Sequence, residues 1–270
     1  MKEKISITID AQVLKEIDRL VDHITIKNRS HAIEYLARKS VGKRRVAVIL
    51  CGGPSEMLRI KDSFRPSVML NGKALIEHTL EKLSENHFKE VFIVARKKVL
   101  SAVFDVIRSG ETYGVNVNYV EEEKSLGTAA SLRLVKGKIN RPFLMVYGDV
   151  YINQMRIEEL WQSHIKNNAI ATLILTSSST PTQKGVVQLE GSKILSFKQK
   201  PTHSNIYIGF SSMLIGGPEL LDYDGNWLEL DVFPRLAKEG KLGGHVSSIE
   251  EFHIHTEKDR VESEKLLDEP

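Results

Sequence analysis

The sequence predicts an α/β protein in two parts: a small N-terminal module of one strand and two helices, and a larger domain with a mixed open sheet and helices on both faces. Polar and apolar side chains alternate over residues 4–9, which is typical of a half-buried strand, and two helical patterns follow. At residue 46 the pattern changes to a continuous apolar run, which is typical of a strand buried on both faces. Strand-like and helix-like segments then alternate up to residue 167, which favours parallel strands joined by right-handed crossovers. We therefore expect one domain over residues 1–43 and another over residues 46–268.

The first strand and the two helices after it form a module too small to fold alone. The alternation places three isoleucines on one face of the strand and Lys4, Ser6 and Thr8 on the other. Asp10 and Ser30 are good N-caps for the two helices. A domain of about 40 residues usually needs a partner chain, a metal or disulfides to be stable. Because the module has no cysteine, we expect its strand to pair with the same strand of a second copy in a homodimer.

This module resembles the ribbon-helix-helix family of DNA-binding proteins in its strand pattern, its helix lengths and the sequence that opens its second helix. In that family the paired strands enter the major groove and their outward side chains contact base edges. The resemblance implies double-stranded DNA as a partner, with Lys4, Ser6 and Thr8 as base contacts. Arg29 and Ser30, at the start of the second helix, would contact a phosphate. The alternatives are a module that dimerises without DNA and one that packs on the second domain.

The charge distribution suits an anionic partner for the module alone. Residues 1–45 carry 11 Lys and Arg against 6 Asp and Glu, a net charge of +5, and the remainder carries 27 against 29, a net charge of −2. A basic module on a nearly neutral body is typical of a nucleic-acid contact, and a solvated basic surface is the alternative. No apolar run approaches the ~20 residues of a membrane span, and the single cysteine suits a reducing compartment. We therefore expect a cytoplasmic protein without a membrane partner.

The larger domain begins with the apolar run and continues as alternating strands and helices. The predicted strands of its first part span residues 46–50, 90–95, 115–120 and 143–147, and the predicted helices span residues 74–86, 99–109, 128–135 and 157–167. From residue 169 onward the pattern is mainly β, with strands predicted over 186–189 and 193–197. Ligands of open α/β sheets lie at the carboxyl ends of the strands. The candidate ligand contacts at these ends are Gly52, Gly53, Gly127 and Asp149.

The residue types at those strand ends suit a phosphorylated ligand. The pair Gly52-Gly53 lets backbone N–H groups approach an anionic or flat ligand closely, although a plain tight turn uses the same residues. Gly127 opens a second stretch of small residues, which would serve either ligand approach or helix–sheet packing. Asp149 offers a carboxylate to Mg²⁺, which favours oxygen ligands and bridges to substrate phosphates; a helix cap is the alternative role.

In this order the motifs resemble the sugar-1-phosphate nucleotidyltransferase family, from residue 46 to about residue 267. Members of that family have a Rossmann-like sheet, join a nucleoside triphosphate to a sugar phosphate and release pyrophosphate. The matching blocks are Leu50-Cys51-Gly52-Gly53, Phe64-Arg65-Pro66, residues 71–76, Leu126-Gly127-Thr128-Ala129, Tyr147-Gly148-Asp149, Gly185-Val186-Val187, Gln199-Lys200-Pro201 and residues 231–234. The resemblance implies six nucleotide contacts: Leu50, Gly52, Gly53, Gly127, Thr128 and Asp149. It also implies that Lys200 contacts the sugar phosphate.

The departures from that family's pattern concern catalysis. Its glycine-rich signature continues with a third glycine and an arginine, where this chain has Ser55 and Met57. Glu56 between them places negative charge beside the expected phosphates. Losing one donor that is aimed at developing charge typically costs ~10²–10³ in rate. The sequence therefore leaves open whether the chain is an enzyme.

Three cations remain as candidate catalytic groups: Arg59, Arg65 and Lys200. Arg59 lies two residues beyond Met57, and Arg65 stands where the family has a lysine. The family's second metal ligand is an aspartate, and the corresponding residue here is His253. The resemblance implies Mg²⁺ bound by Asp149 and His253, although histidine suits softer metals better.

These observations lead to three hypotheses about function. The leading one is a DNA-binding transcriptional regulator whose large domain binds a nucleotide, a sugar phosphate or a nucleotide-sugar, since an apparent DNA reader is fused to a site that keeps its scaffold and loses catalytic charges. The alternative is an active sugar-1-phosphate nucleotidyltransferase with an N-terminal dimerisation or DNA-binding module. The third is a scaffold protein without a ligand, against which the retained Gly127, Asp149 and Lys200 argue.

Overall fold

The computed structural model describes residues 5–42, 45–249 and 252–268. The chain forms two compact units, Met1–Arg44 and Arg45–Pro270. Hydrophobic clusters form separately within each unit. No described helix is long and apolar enough to cross a membrane.

The N-terminal unit contains two helices, α1 (Ala11–Asp18) and α2 (Arg29–Gly42). The first begins at its predicted cap, because the Asp10 carboxylate accepts hydrogen bonds from two backbone N–H groups of the first turn at 2.8 and 3.4 Å. The second is capped by Asn28, whose side-chain oxygen accepts a backbone N–H at 2.9 Å. The prediction that Ser30 caps this helix is therefore wrong, since Ser30 lies inside the first turn.

The predicted N-terminal strand is absent from the described residues of this unit. Residues 5–10 form no strand, and Ile5 and Ile7 are 74% and 54% exposed. The physical reason is that a strand needs a second strand to satisfy its backbone N–H and C=O groups, and the described part of a single copy supplies none here. The ribbon-helix-helix architecture is thus not confirmed for the single chain.

The large unit contains all the strands that the structure describes. In chain order these are β1 (Arg45–Leu50), β2 (Arg59–Ile60), β3 (Ser63–Phe64), β4 (Met69–Leu70), β5 (Lys73–Ala74), β6 (Phe88–Ala95), β7 (Asn116–Glu121), β8 (Phe143–Tyr147), β9 (Val150–Tyr151), β10 (Ala171–Ser177), β11 (Gly185–Glu190), β12 (Lys193–Gln199), β13 (Ile208–Gly216), β14 (Leu242–Val246) and β15 (Phe252–His253). Its helices are α3 (Leu75–Glu85), α4 (Lys97–Ile107), α5 (Thr128–Arg133), α6 (Ile157–Asn167), α7 (Phe233–Lys238) and α8 (Glu257–Asp268).

The main sheet is mixed, as predicted, with strand order β10-β14-β12-β11-β13-β8-β1-β6-β7. The four strands β7, β6, β1 and β8 run parallel to one another. The next strand, β13, is antiparallel to β8 and also pairs antiparallel with β10. The change of direction divides the sheet into a parallel half, which carries the predicted glycine and aspartate ends, and a mainly antiparallel half.

Helices cover both faces of the sheet, because the side chains of the fully buried β1 alternate between two hydrophobic clusters. Ala47 and Ile49 belong to a cluster that includes residues of α3, α4 and α6. Val46, Val48 and Leu50 belong to a second cluster, which includes residues of α5 and α7. This two-sided burial fixes the carboxyl ends of β1 and β8 side by side, where Leu50 pairs with Tyr147.

Candidate functional site

A cleft lies at the carboxyl ends of β1 and β8 in the large unit. Its position is the one expected for an open α/β sheet. The lining residues are Leu50, Gly52, Gly53, Pro54, Ser125, Gly127, Thr128, Ser131, Tyr147 and Trp227. Five of the six predicted nucleotide contacts thus line one cleft, and the sixth, Asp149, follows two residues after Tyr147.

The loop after β1 brings the backbone against a buried carboxylate. A Cβ added at Gly52 would lie 2.9 Å from Glu122 Oε2 and 3.2 Å from Ser131 Oγ. Gly53 has φ +128°, a conformation that side chains disfavour. A side chain at position 52 would displace the Glu122 carboxylate, so the glycine allows the chain to pass this close to it.

Gly127 and Thr128 form the opposite wall, and both are tied to the segment around Asn226. Gly127 has φ +127° and a Cβ there would collide with the carbonyl oxygen of Asn226. The Thr128 hydroxyl donates to Glu229 Oε2 at 2.7 Å and accepts the N–H of Leu228 at 2.8 Å. These contacts hold the wall in place, so the hydroxyl of Thr128 has a structural role in the cleft.

The N-terminal N–H groups of α5 are also used within the protein. Those of Ala129 and Ala130 both donate to the carbonyl oxygen of Asn226, at 2.9 and 3.1 Å. Tyr147 donates its hydroxyl to Glu229 on the same wall. Burial, followed by the neighbouring Glu229 carboxylate, raises the pKa of Tyr147 well above its usual value, so this hydroxyl stays protonated and acts as a donor.

Glu122 is the functional candidate that sequence reasoning missed. Its side chain is 3% exposed, and its backbone N–H donates to the Ala95 carbonyl oxygen at 2.9 Å, which fixes it just beyond β7. Its Oε1 accepts the hydroxyl of Ser131, whereas Oε2 has no hydrogen-bond partner among the described residues. A buried polar atom left unpaired costs roughly 1–3 kcal/mol or more, so this oxygen is a candidate acceptor for a ligand N–H group.

A signal for Glu122 was present in the sequence. Residues 121–123 are three consecutive glutamates directly after a predicted strand and shortly before Gly127. Side chains at a strand end alternate between the two faces, so Glu122 faces the side opposite to Glu121 and Glu123. Glu122 is buried, and Glu121 and Glu123 are exposed.

Asp149 lies in a second cluster of polar groups beside the cleft. Arg65 Nη1 donates to Asp149 Oδ2 at 3.0 Å, and His255 Nε2 lies 3.2 Å from the same oxygen. Burial alone would raise the pKa of Asp149, but the hydrogen bond from His255 and the nearby charges of His255, His253 and Arg65 outweigh it and hold the pKa below its usual value. The carboxylate is therefore ionised at neutral pH.

The structure brings the two predicted metal ligands together and adds a third. Asp149, His253 and His255 each offer one ligand atom, and these atoms all lie within 4.8 Å of one another. His253 also contacts Ser212 Oγ through Nε2 at 3.1 Å. The sequence alone predicted Asp149 and His253; His255 was missed because it occupies the position of a glycine in the family block.

This donor set does not suit Mg²⁺, the ion that the family resemblance implied. Magnesium requires oxygen ligands in near-ideal octahedral geometry. The described cluster offers one carboxylate and two imidazoles, a combination that transition metals prefer. The expectation of Mg²⁺ at Asp149 and His253 therefore disagrees with the chemistry of the residues present.

The three predicted catalytic cations lie in different surroundings. Arg65 is beside Asp149, and its buried Nε has no hydrogen-bond partner among the described residues. Arg59 is exposed, with its guanidinium over the ring of Phe64 at 5.3 Å from the centroid. Lys200 is exposed after β12 and has φ +42°. Arg59 and Lys200 do not line the cleft, and their catalytic roles stay predictions.

The predicted DNA contacts that the structure describes lie outside any strand, and their role stays a prediction. Arg29 is engaged by Asp18, since its Nε and Nη2 atoms donate to the two carboxylate oxygens at 2.7 Å each. Ser30 is exposed in the first turn of α2. Ser6 and Thr8 are exposed outside any strand, and Lys4 lies outside the described residues.

Comparisons with known proteins agree with this geometry. The family model described as nucleotidyl transferase matches residues 46–223. A mannose-1-phosphate guanyltransferase of Yarrowia lipolytica is 31% identical over 209 residues, which are 72% of this chain and 56% of that protein. A bifunctional protein GlmU of Methanococcus vannielii is 30% identical over 175 residues, or 63% of this chain and 38% of that protein. The chain thus spans about half the length of these curated relatives or less.

Two solved structures share the fold. A putative glucose-1-phosphate thymidylyltransferase from Bacillus anthracis has a TM-score of 0.71 at 20% identity, covering 84% of this chain and 96% of that one. HddC from Yersinia pseudotuberculosis has a TM-score of 0.68 at 18% identity, covering 83% of this chain and 100% of that one.

These comparisons correct the leading functional hypothesis. The relatives that match the large unit are named as nucleotidyltransferases, and the match covers the unit that holds the cleft. The hypothesis of a DNA-binding transcriptional regulator is therefore wrong. It gave the altered signature too much weight, because Gly52, Gly53 and Gly127 still line the cleft in spite of that alteration.

Proposed function

The chain belongs to the nucleotidyl transferase family, and from this premise we propose that it is an active sugar-1-phosphate nucleotidyltransferase. In the proposed reaction a phosphate oxygen of the sugar 1-phosphate attacks the α-phosphorus of a nucleoside triphosphate. The bond from that phosphorus to the oxygen bridging to the β-phosphate breaks, and pyrophosphate leaves with the electron pair. The cleft at the ends of β1 and β8 would hold the nucleotide.

The observation that carries this proposal is the unpaired oxygen of Glu122. It lies directly behind the wall of the cleft, against Gly52 and Ser131, which both line it. A ligand donor that reached this oxygen would relieve its unmet hydrogen bond. A scaffold without a ligand would gain nothing from a buried carboxylate in that state. Arg65 offers the complementary feature, a buried donor without a partner among the described residues, which suits a phosphate.

Glu122 also favours one base. The edge of guanine presents adjacent N–H donors at N1 and the exocyclic N2. One of them would meet the unpaired Oε2, and the other would use the second lone pair of Oε1, which already accepts from Ser131. Adenine presents a ring acceptor at N1, and the pyrimidines uracil and thymine present one N–H between two carbonyl oxygens. We therefore propose GTP as the preferred nucleotide, in agreement with the guanylyltransferase names of several relatives.

The sugar is proposed to be a hexose 1-phosphate, with mannose 1-phosphate as the first candidate because of those same relatives. Lys200 is retained as the predicted contact of the sugar phosphate. It follows β12 and has a positive φ. Non-glycine residues in this strained conformation cluster at ligand-binding and active sites, which supports this role.

The N-terminal unit is proposed to pair with a second copy through a ribbon-helix-helix arrangement. Ile5 and Ile7 are exposed in the single chain, although their alternation with polar residues is typical of a half-buried strand. Two such segments paired antiparallel would satisfy their backbone groups and cover both isoleucines. The module would then serve dimerisation of the enzyme.

The proposed reaction is tested by measuring pyrophosphate release from the full chain. GTP with mannose 1-phosphate should give the highest rate among the common nucleoside triphosphates, and omission of the sugar phosphate should abolish release. The panel should include Mg²⁺, Mn²⁺, Co²⁺ and Zn²⁺. Absence of pyrophosphate for every combination of nucleotide, hexose 1-phosphate and cation would overturn the proposal.

A further inference from the structure

Two histidines stand beside Asp149 because the short strand β15 pairs with β9. His253 is in register with Val150, the residue after Asp149. The N–H of Ile254 donates to the carbonyl oxygen of Asp149 at 2.8 Å. Backbone hydrogen bonds therefore tie the segment His253-Ile254-His255 directly to β9 and to the turn before it, which carries the aspartate.

The alternation of this segment directs both imidazoles to the same side. Ile254 is fully buried in a hydrophobic cluster with Ile60, Val68, Leu70 and Leu75. Successive side chains of an extended segment point to opposite faces, so the residues on either side of Ile254 face away from that cluster. The two imidazole rings lie 5.4 Å apart between centroids, next to the Asp149 carboxylate.

The three side chains are close enough to bind one ion. Their ligand atoms lie within 4.8 Å of one another. Ligands bound at ~2.1 Å from a single metal ion are roughly 3–3.5 Å apart, so modest side-chain rotations would bring these atoms into place. Ser212, a buried residue, contacts His253 Nε2 at 3.1 Å and would help to orient that ring.

The neighbouring guanidinium limits which ions this cluster accepts. Arg65 shares Asp149 Oδ2 with His255, and its positive charge opposes any cation. An ion held mainly by electrostatic attraction to oxygen, such as Mg²⁺, would meet this repulsion with only one carboxylate to offset it. An ion that forms strong bonds with imidazole nitrogen has two further ligands to stabilise it.

We propose that Asp149, His253 and His255 form a three-ligand site for a divalent ion such as Zn²⁺, Co²⁺ or Mn²⁺, in place of Mg²⁺. The role of this ion in catalysis rests on the proposed function. The site itself depends only on the three ligands. Three protein ligands leave coordination positions open, as in catalytic rather than structural metal sites.

The test is direct metal binding by the full chain after treatment with a chelator. Titration with CoCl₂ should produce visible absorption bands that saturate at one ion per chain. Equimolar ZnCl₂ should displace the cobalt, and a hundredfold excess of MgCl₂ should leave the bands unchanged. His253→Gln and His255→Gln should each weaken cobalt binding at least tenfold, while the matched control His203→Gln, an exposed histidine outside the cluster, should leave it unchanged.

Two results would overturn the proposal: absence of saturable cobalt bands, or bands that neither cluster variant weakens. Thermal midpoints of the metal-free variants would show that each remains folded. A reciprocal variant sharpens the test, because His253→Asp adds a second carboxylate and should raise the affinity for Mg²⁺ relative to Zn²⁺. An unchanged ratio would also contradict the account.

The cobalt titration needs neither nucleotide nor turnover. The proposed metal site and the proposed reaction can therefore be refuted independently. Saturable cobalt binding without pyrophosphate release under any condition would retain the metal site and overturn the proposed function. Pyrophosphate release that is fastest with Mg²⁺, together with absent cobalt bands, would retain the proposed function and overturn the metal site.

Discussion

The two units of the chain differ in how much of their apolar surface a single copy buries. In the large unit every residue of β1 is buried, and Phe88, Phe143 and Phe233 are fully enclosed. In the N-terminal unit a cluster of three buried residues, Ile17, Ile26 and Ala32, forms the core, while isoleucines at its beginning are exposed. Where all the partners of a pattern lie in the same chain, the pattern determines the structure. In the N-terminal unit the described residues supply no strand partner for the alternating segment, so its pattern alone does not determine a strand.

Within the large unit, a methyl group added at the cleft should reduce stability more than one added at an open surface position. Gly127→Ala combines a positive φ of +127° with a collision against the Asn226 carbonyl oxygen, and we expect it to cost about 3 kcal/mol or more and to abolish nucleotide binding. The matched control Gly137→Ala has φ +78° and open space around its Cβ, so it should cost only about 1 kcal/mol. Urea denaturation of both variants gives the comparison, and equal losses would contradict the assigned role of Gly127.

The carboxylate of Glu122 should determine base preference. Glu122→Gln replaces an acceptor-only group by one that also donates, and removes a charge-assisted hydrogen bond worth about 1.5–3 kcal/mol. We expect kcat/KM for GTP to fall roughly 10- to 100-fold. The neighbouring Glu123→Gln, at an exposed position, should stay within about twofold of the wild type in the same assay. Equal effects of the two substitutions would remove Glu122 from the base contact.

The N-terminal unit should respond to a change that leaves the large unit unaffected. Ile7→Asp places a charge on the expected ribbon and should shift the chain from dimer to monomer in sedimentation equilibrium, because a buried charge in the paired strands is unfavourable. The control Ile165→Asp changes an isoleucine of similar exposure in the large unit, 59% against 54%, and should leave the mass unchanged. A monomeric wild type would contradict the proposed pairing.

The smallest expected effect is a pH dependence of stability in the large unit. Burial lowers the pKa of His164 below its usual 6.5, and the ring contacts Thr172 Oγ1 at 3.0 Å. The unfolded chain then binds this proton more readily, so stability is complete above pH ~6.5 and falls as the pH drops towards the folded-state pKa, by at most ~1.4 kcal/mol per pH unit.

His164→Gln should flatten that slope between pH 7 and pH 5, measured by urea denaturation at each pH. The exposed His203→Gln should reproduce the wild-type slope. A slope that His164→Gln leaves intact would assign the pH dependence to other groups.

Sequence reasoning reached most of the large unit because its signals are local and its partners are internal. Gly52 and Gly53 follow the end of β1, as predicted, whereas Gly127 directly precedes α5, and all three line one cleft. The roles of Thr128 and Glu122 depended on contacts with residues that are distant in the chain or on which of three glutamates turns inward. Those facts follow from tertiary packing and could not be read from spacing.

The same limit explains why the regulator hypothesis was wrong. The alternation over residues 4–9 predicted a strand, but the described residues form none, and Arg29 pairs with Asp18. The altered signature left enzyme activity open and favoured a regulator, whereas the relatives are named as enzymes. A departure from a motif changes single residues, whereas a cleft is formed by many residues. One altered motif is therefore weak evidence that the whole cleft is lost.

The most direct test of the account is mass spectrometric detection of the product formed by the full chain from GTP and mannose 1-phosphate, with Mn²⁺ or Co²⁺ and with Mg²⁺ in parallel. The account predicts a guanosine diphosphate hexose that appears together with pyrophosphate, is formed faster with the transition metals, and is strongly reduced in Glu122→Gln. Unchanged GTP with every cation and every hexose 1-phosphate would contradict it.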